Sequence, residues 1–269
     1  MYREPVGETD MFLCRHCGMG RVPDMDACKP DFWLNGTPDD ELGKEYWTTL
    51  RSDMFRKALA HLETERGTGR ILDIGGGLGH FAELALSLGW DSYSLDVSEL
   101  ANQAAAERLG SERSLTPQQA KDFAGTCDVV TLWCVVAHVL DPTELVREAA
   151  ALLKPGGRML ITTPNFIFQA TLARAMSLLG KPYDLVSRDH VFHFTPKAIG
   201  RLLREVGLQT WTFEYLGVTN YCILSSRFAK VFVPLKRIWN YAGTRTPLLG
   251  LPPVCGELQI VAVKAVQQG

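Results

Sequence analysis

The sequence lacks the features expected of a membrane-spanning, secreted or nucleic-acid-binding protein. It contains no apolar run of about eighteen residues or more, so we expect no transmembrane helix. The first ten residues, MYREPVGETD, are polar and do not resemble a signal peptide. The net charge is only −2, without the basic excess that binding to nucleic acid requires. These absences favour a cytoplasmic protein with no nucleic-acid partner.

The sequence also lacks the even number of cysteines that is typical of a fully paired disulfide framework. It has seven, scattered along the chain, and this pattern fits reduced thiols better than a disulfide framework. No internal repeat or low-complexity segment is apparent. With 46% hydrophobic residues in 269, the chain can bury a sizeable core. The composition is therefore that of an ordinary globular protein.

Short apolar segments alternate with helical segments along most of the chain. The predicted strands are RILDIG, DSYSLDVS, a short one around ERSLT, CDVVTLWCVV and RMLITTPN, followed by two last strands in LQTWTFEYL and ELQIVAVKAV. The predicted helices are GHFAELALSLG, ELANQAAAERLG with Ser98 as its cap, DPTELVREAAALLKPGG, one near 166–180 and one in TPKAIGRLLREVG. Continuous apolar strands indicate a parallel sheet that helices cover on both faces. The pattern predicts a doubly wound α/β domain.

A glycine-rich turn, ILDIGGGLGHF, follows the first of these strands and enters a helix. Such a turn brings a ligand to the carboxyl end of the sheet. It departs from the dinucleotide fingerprint because His80 stands where the last glycine of G-x-G-x-x-G would be. Asp73, two residues before the first glycine, suits a ligand with a cationic end better than one led by phosphates.

The D-x-G-x-G-x-G loop resembles the first motif of class I S-adenosylmethionine-dependent methyltransferases. Further matches occur in the family's order: Asp96 at the end of the second strand, then CDVVTLWCVVAHVLDP, LLKPGGRMLITTPN and DHVFHFTPKAIGRLLREVGL. These segments are similar to the small-molecule subgroup that includes ubiquinone-biosynthesis enzymes and natural-product methyltransferases. The resemblance implies a mostly parallel seven-stranded sheet with an antiparallel last strand.

The resemblance also implies S-adenosylmethionine as the cofactor and a set of residues that bind it. In that family the acid of the glycine loop lies by the cofactor's amino group, and the acid of the second strand takes the ribose hydroxyls. The residues so assigned are Asp73, Ile74, Gly75, Gly76, Gly77, Asp96, Val97, Leu115, Thr116 and Trp133. Two alternatives stay open, because Asp73 could instead cap the next helix and Trp133 could instead pack in the core.

Methyl transfer to oxygen or carbon usually needs a base, and histidine supplies one near neutral pH. The candidates are His190, His138 and His193, each of which could instead have a structural role. We expect methylation of an oxygen or carbon of a small molecule, such as a natural product, a sugar or a quinone-like phenol. The alternatives are an N- or protein methyltransferase and a non-catalytic binding module that keeps the cofactor fold.

The N-terminal region carries Cys14-x-x-Cys17 followed by glycine, which resembles half of the zinc ribbon that precedes some methyltransferase domains. A tetrahedral site needs four ligands, and only Cys28 follows, so we expect no bound zinc. We therefore divide the chain into an arm over residues 1–37 and a methyltransferase domain over residues 38–269.

Two insertions, near 165–195 and 217–250, are expected to form a lid and the acceptor pocket. Within the second, the amphipathic basic stretch 221–243 raises the alternative of contact with a membrane surface, which we do not favour. The sequence leaves the oligomeric state open.

Overall fold

The computed structural model describes residues 1–6, 9–23, 51–63, 68–180, 190–208, 210–213 and 257–266. The strands are β1 (Tyr2–Val6), β2 (Thr9–Leu13), β3 (Gly20–Arg21), β4 (Arg70–Ile74), β5 (Asp91–Leu95), β6 (Ser114–Leu115), β7 (Cys127–Trp133), β8 (Leu153–Pro164), β9 (Phe192–His193), β10 (Thr210–Phe213) and β11 (Glu257–Val263). The α-helices are α1 (Ser52–Leu62), α2 (His80–Ser87), α3 (Glu99–Leu109), α4 (Pro117–Ala120), α5 (Pro142–Leu152), α6 (Phe166–Leu178) and α7 (Pro196–Glu205).

The main sheet has seven strands within the described ranges, in the order β10-β11-β8-β7-β4-β5-β6. The five strands from β8 to β6 in this order are parallel, whereas β11 runs antiparallel to β8 and β10 antiparallel to β11. The predicted fold class is thus confirmed, including the antiparallel last strand. Since β4 pairs with β5 on one side and β7 on the other, the strand order reverses there and opens a crevice at the carboxyl ends.

Alternate residues of the central strands are buried on opposite faces of the sheet. Ile71 of β4 and Val129 of β7 belong to the cluster under α1 and α2, whereas Leu72 and Val130 belong to the cluster on the other face. Because both faces are covered, β4 and β7 are buried along most of their length and apolar residues predominate in them. This explains why they could be recognised as continuous apolar runs.

Local signals set several helix boundaries. The side chain of Ser98 accepts a hydrogen bond from the amide of Ala101, which confirms the predicted cap of α3. The segment DPTELVREAAALLKPGG behaves differently from the prediction, since its helix ends at Leu152. From Leu153 the chain is already part of β8, whose first residue pairs with Cys127. Strand pairing there overrides the local pattern.

A second, smaller sheet has the order β1-β2-β3-β9. Its first three strands come from the N-terminal region and its last from the histidine-rich segment near residue 190. The buried side chains of Val6, Met11 and Leu13 pack against α6. The described part of the predicted arm, residues 1–6 and 9–23, is therefore packed on the domain.

No helix in the described ranges is long and apolar enough to cross a membrane. The whole insertion near 217–250, including the stretch 221–243, lies outside the described residues.

Candidate functional site

The glycine loop between β4 and α2 is bound to the end of β5. The amides of Gly75 and Gly76 both donate to the carbonyl oxygen of Leu95, at 2.7 and 3.1 Å. A Cβ atom on Gly75 would meet Val135 at 2.5 Å, and one on Gly76 would overlap the hydroxyl of Ser94. These two glycines are therefore required by packing within the protein.

Gly77 differs from its neighbours in the loop. Like Gly75 it has a positive φ, here 53°, but an added Cβ would find no heavy atom within 4 Å. Open space over a backbone in this conformation is what a closely approaching ligand needs. The glycines of this loop thus have two explanations. Gly75 and Gly76 are required by packing within the protein, and Gly77 leaves space for a ligand to approach the backbone.

Asp96, just beyond β5, lies beside Gly77. Its Oδ2 accepts a hydrogen bond from the amide of Gly77 at 3.0 Å, and its Oδ1 accepts one from the amide of Ser98 at 2.9 Å. Its own amide and carbonyl bind the side chain of Asn102. Each carboxylate oxygen keeps capacity for a further donor, such as a hydroxyl group.

Asp73, on β4, is only 2% exposed. Its Oδ1 accepts a short hydrogen bond of 2.6 Å from the hydroxyl of Thr131 on β7. Burial raises the pKa of Asp73 to about 7, the hydrogen bond from Thr131 opposes this rise, and the charge of Asp96 adds to it. A cation placed against this carboxylate would compensate the cost of burying its charge.

The other predicted cofactor residues lie in varied surroundings. Ile74 and Leu115 are buried, whereas the side chain of Val97 is 72% exposed. Thr116 caps α4 by binding the amide of Gln119 through its hydroxyl.

Trp133, at the end of β7, packs against two aromatic rings. Its ring centroid lies 4.8 Å from that of Phe55 and 5.2 Å from that of Phe81. These contacts favour the packing interpretation of Trp133 over contact with adenosine, although they leave its role in cofactor binding a prediction.

The three predicted histidines form one buried cluster. The ring centroids of His138 and His190 lie 4.4 Å apart, and those of His190 and His193 lie 5.7 Å apart. His138 lies beyond the end of β7, and the amide of Phe192 binds the carbonyl of Ala137 beside it. The sequence therefore identified three residues that the fold brings together from segments about fifty positions apart.

Burial keeps two of these rings neutral. Burial is the main cause, and together with the electrostatic effect of the neighbouring histidines it lowers the pKa of His190 to about 2 and that of His193 to about 4. Contact with the backbone of His190 partly opposes this lowering of the pKa of His193. Within the described residues, neither ring nitrogen of His193 has a hydrogen bond of normal geometry. Such weak bases suit hydrogen bonding better than proton removal near pH 7.

Two features at the carboxyl end of β7 were not predicted from the sequence. Thr131, the partner of Asp73, is a polar residue within the apolar run that follows Asp128 in β7, and this exception was the available signal. Cys134 follows β7 with a positive φ of 58°, rare for a residue other than glycine. Its thiol donates to Glu257 at 3.2 Å and its amide to the hydroxyl of Thr162 at 3.0 Å.

The predicted cysteine pair lies in the turn between β2 and β3. Backbone amides of Cys17 and then His16 lower the pKa of the Cys14 thiol, whereas burial raises the pKa of Cys17. Within the described ranges no three His, Cys, Asp or Glu side chains are arranged to hold a metal ion. Cys28, the third candidate ligand, lies outside the described residues.

Comparison with known proteins agrees with this geometry. The chain is 31% identical over 162 residues to the ubiquinone biosynthesis O-methyltransferase of Aromatoleum aromaticum, covering 56% of this chain and 67% of that protein. The chain spans 67% of the length of this relative, 65% of that of the corresponding enzyme of Thiobacillus denitrificans, and less than half of some others.

Two solved structures share the fold at low sequence identity. One is a SAM-dependent methyltransferase from Thermotoga maritima, with a TM-score of 0.52, 15% identity and coverage of 87% of this chain and 97% of that one. The other is the plantazolicin methyltransferase BamL in complex with a triazolic desmethylPZN analog and SAH, with a TM-score of 0.51, 16% identity and coverage of 88% of this chain and 94% of that one.

The fold and these similarities define a class I S-adenosylmethionine-dependent methyltransferase. Residues 46–212 match the profile of the family described as "Methyltransferase domain", and the chain belongs to that family.

Proposed function

We propose that this enzyme methylates a hydroxyl oxygen of a small molecule, with a phenol as the leading acceptor. The observation that carries the proposal is the buried histidine cluster beyond the carboxyl end of β7. Similarity to ubiquinone biosynthesis O-methyltransferases supports an oxygen acceptor. S-adenosylmethionine supplies a methyl group already activated on a sulfonium, so the protein has to align the acceptor and accept a proton.

The donors and acceptors at the carboxyl edge fit this cofactor. In our proposal the carboxylate of Asp73 pairs with the ammonium of its amino-acid part, and Asp96 accepts from the ribose hydroxyls. The open space over Gly77 admits the ligand next to the backbone. Ile74, Gly75, Gly76, Val97, Leu115, Thr116 and Trp133 are proposed as further contacts, of which Gly75 and Gly76 act by shaping the loop.

Within the histidine cluster we assign proton acceptance to His138. Once one ring is protonated, its charge disfavours a second proton on a ring 4.4 Å away, so the cluster can accept one proton but not two. Burial lowers the pKa of His190 and of His193, which leaves His138 as the ring that takes the proton in this proposal. The two neutral rings then orient the acceptor hydroxyl by hydrogen bonds.

The test is transfer of a labelled methyl group from S-adenosylmethionine to a panel of catechols and related phenols. We expect O-methylated product from at least one phenol. We expect His138→Gln to lower kcat by about 100-fold, within the usual range for loss of a general base. His190→Gln keeps a hydrogen-bonding group and should mainly raise KM.

Equal losses of kcat in both variants would contradict the assignment of the base. Product labelled on carbon or nitrogen would contradict oxygen methylation. Tm and binding of S-adenosylhomocysteine serve as controls, since neither should change greatly when a histidine away from the cofactor loop is replaced. The cytoplasmic location and the division at residue 37 stay predictions from the sequence.

A further inference from the structure

The N-terminal region is joined to the histidine segment by strand pairing. In the antiparallel pair of β3 and β9, Gly20 is opposite His193 and Arg21 is opposite Phe192. The amide of Val22 continues this contact by donating to the carbonyl of Val191 at 3.2 Å. The strand β9, which carries His193, is thus paired with a strand from the first 23 residues of the chain.

A second link runs through α6. A Cβ atom added to Gly20 would lie 3.2 Å from the ring of Phe166 and 3.1 Å from the methyl group of Met11. The ring of Phe166 lies in turn 5.5 Å from the ring of His193 by centroids. The absence of a side chain at Gly20 therefore sets how closely Phe166 and His193 pack.

A third link is a hydrogen bond at the start of α7. The hydroxyl of Thr195 donates to the carbonyl of Cys17 at 2.5 Å and also accepts from the amide of Ala198 as the cap of the helix. The turn that holds Cys14 and Cys17 is therefore attached two residues beyond His193. Together these links attach the histidine segment to the N-terminal region, while the amide of Phe192 binds the carbonyl of Ala137, next to His138.

We infer that the N-terminal hairpin, residues 1–6 and 9–23, is a positioning element of the acceptor site that keeps His190 and His193 buried against His138. The importance of these histidines for methylation rests on the function proposed above. Their burial by the hairpin is a separate property of the fold. The hairpin does not contain a catalytic residue and acts through β9 and Phe166.

The surroundings of the two rings define what to measure. Among the described residues, the titratable groups that affect the two rings are one another and His138, while Phe166 of α6 is an uncharged neighbour. Arg21, the charged residue of β3, lies over the ring of Phe192 at 5.8 Å. Loss of burial should therefore return the rings toward the ordinary histidine pKa of about 6.5.

The experiment follows the ring carbon Cε1 of each histidine by NMR as a function of pH in the full-length protein. The protein has six histidines, and His190→Gln and His193→Gln assign the two signals. In the wild type we expect no titration of His190 or His193 between pH 5.5 and 8. In Gly20→Val, whose branched side chain displaces Phe166, we expect the midpoint of His193 to rise by at least one pH unit.

Gly20→Ala provides a milder variant if Gly20→Val fails to fold, and its shift should be smaller and in the same direction. Gly200→Ala is a matched control, because its new Cβ would lie 3.1 Å from Trp211 between α7 and β10, away from the histidine rings. It should leave both histidine signals unchanged.

Unchanged histidine titration in a folded Gly20 variant would overturn the inference. Equal shifts in the Gly200 control, or ordinary titration of His193 in the wild type, would also overturn it. The measurement needs neither cofactor nor acceptor, so its outcome is independent of whether the methyl-transfer assay succeeds.

Discussion

The buried carboxyl of Asp73 gives the free protein a pH-dependent weakness that a single substitution should remove. Asp73→Asn keeps an oxygen that can accept the hydrogen bond from Thr131 but cannot ionise. Since burial raises the pKa of Asp73, ionisation is easier in the unfolded chain than in the folded one. Ionisation of Asp73 must therefore lower the free energy of unfolding of the wild type as the pH rises. The variant, which cannot ionise at this position, must not show this decrease.

The size of the effect follows from the two pKa values. A change from 3.8 to about 7 corresponds to about 4 kcal/mol. Below pH 4 the carboxyl is protonated in both states and contributes nothing. Between pH 4 and 7 the unfolded chain releases the proton first, so the free energy of unfolding falls. Above pH 7 the cost is constant.

The assay is thermal unfolding of the free wild type and of Asp73→Asn at pH 4 and pH 8. We expect the difference in Tm, variant minus wild type, to increase by roughly 10 °C between these pH values, since 1 kcal/mol shifts Tm by about 2–4 °C at this domain size. A constant offset from the new amide group cancels in this comparison. A difference that is equal at both pH values would refute the reasoning.

Asp128 supplies a control of opposite sign. The ammonium of Lys154 and the amide of Arg70 hold its carboxylate, and they lower its pKa against the effect of burial. Its ionised form stabilises the folded state above the pKa of the unfolded chain, and this contribution disappears as the pH falls. Asp128→Asn should therefore lower Tm at pH 8 and have little effect near pH 3.

Three further predictions concern the carboxyl edge of the sheet, at Asp73 and the glycine loop. Gly76→Ala should destabilise the fold by about 1–3 kcal/mol in chemical unfolding, because its Cβ overlaps Ser94. Gly77→Ala should lose only about 1–2 kcal/mol from its positive φ, yet weaken binding of S-adenosylhomocysteine at least tenfold in calorimetry. Equal effects of the two on binding and stability would contradict the separation of their roles. In wild type, affinity for S-adenosylhomocysteine should fall up to tenfold per pH unit below about 7 as Asp73 takes up a proton, and Asp73→Asn should lack this dependence.

The parallel sheet could be predicted because its signals are local. Asp73 on β4 and Asp96 beyond β5 were expected at neighbouring strand ends, and the pairing of Asp73 with Ser94 places them there. Ser98 was recognised as a helix cap from its residue type and position alone. In each case the physical cause lies within a few residues of the sequence that signals it.

The second sheet could not be predicted in this way. Gly20 and His193 are paired across more than 170 positions, and neither two-residue strand has a periodic pattern of its own. The glycine of β3 is explained by Phe166, a residue of a distant helix. The depressed pKa of His193 is likewise a consequence of burial, which its local sequence does not encode.

The most direct test of the account is calorimetric titration of the wild type and of Asp96→Ala with S-adenosylhomocysteine at pH 8. This ligand keeps the ribose and the amino-acid part of the cofactor and lacks the reactive methyl. We predict micromolar binding by the wild type, which corresponds to about 8 kcal/mol, and at least a hundredfold loss in the variant. Equal affinity of the two proteins would contradict the proposed placement of the ribose, and no binding by a folded wild type at millimolar ligand would contradict the cofactor site itself.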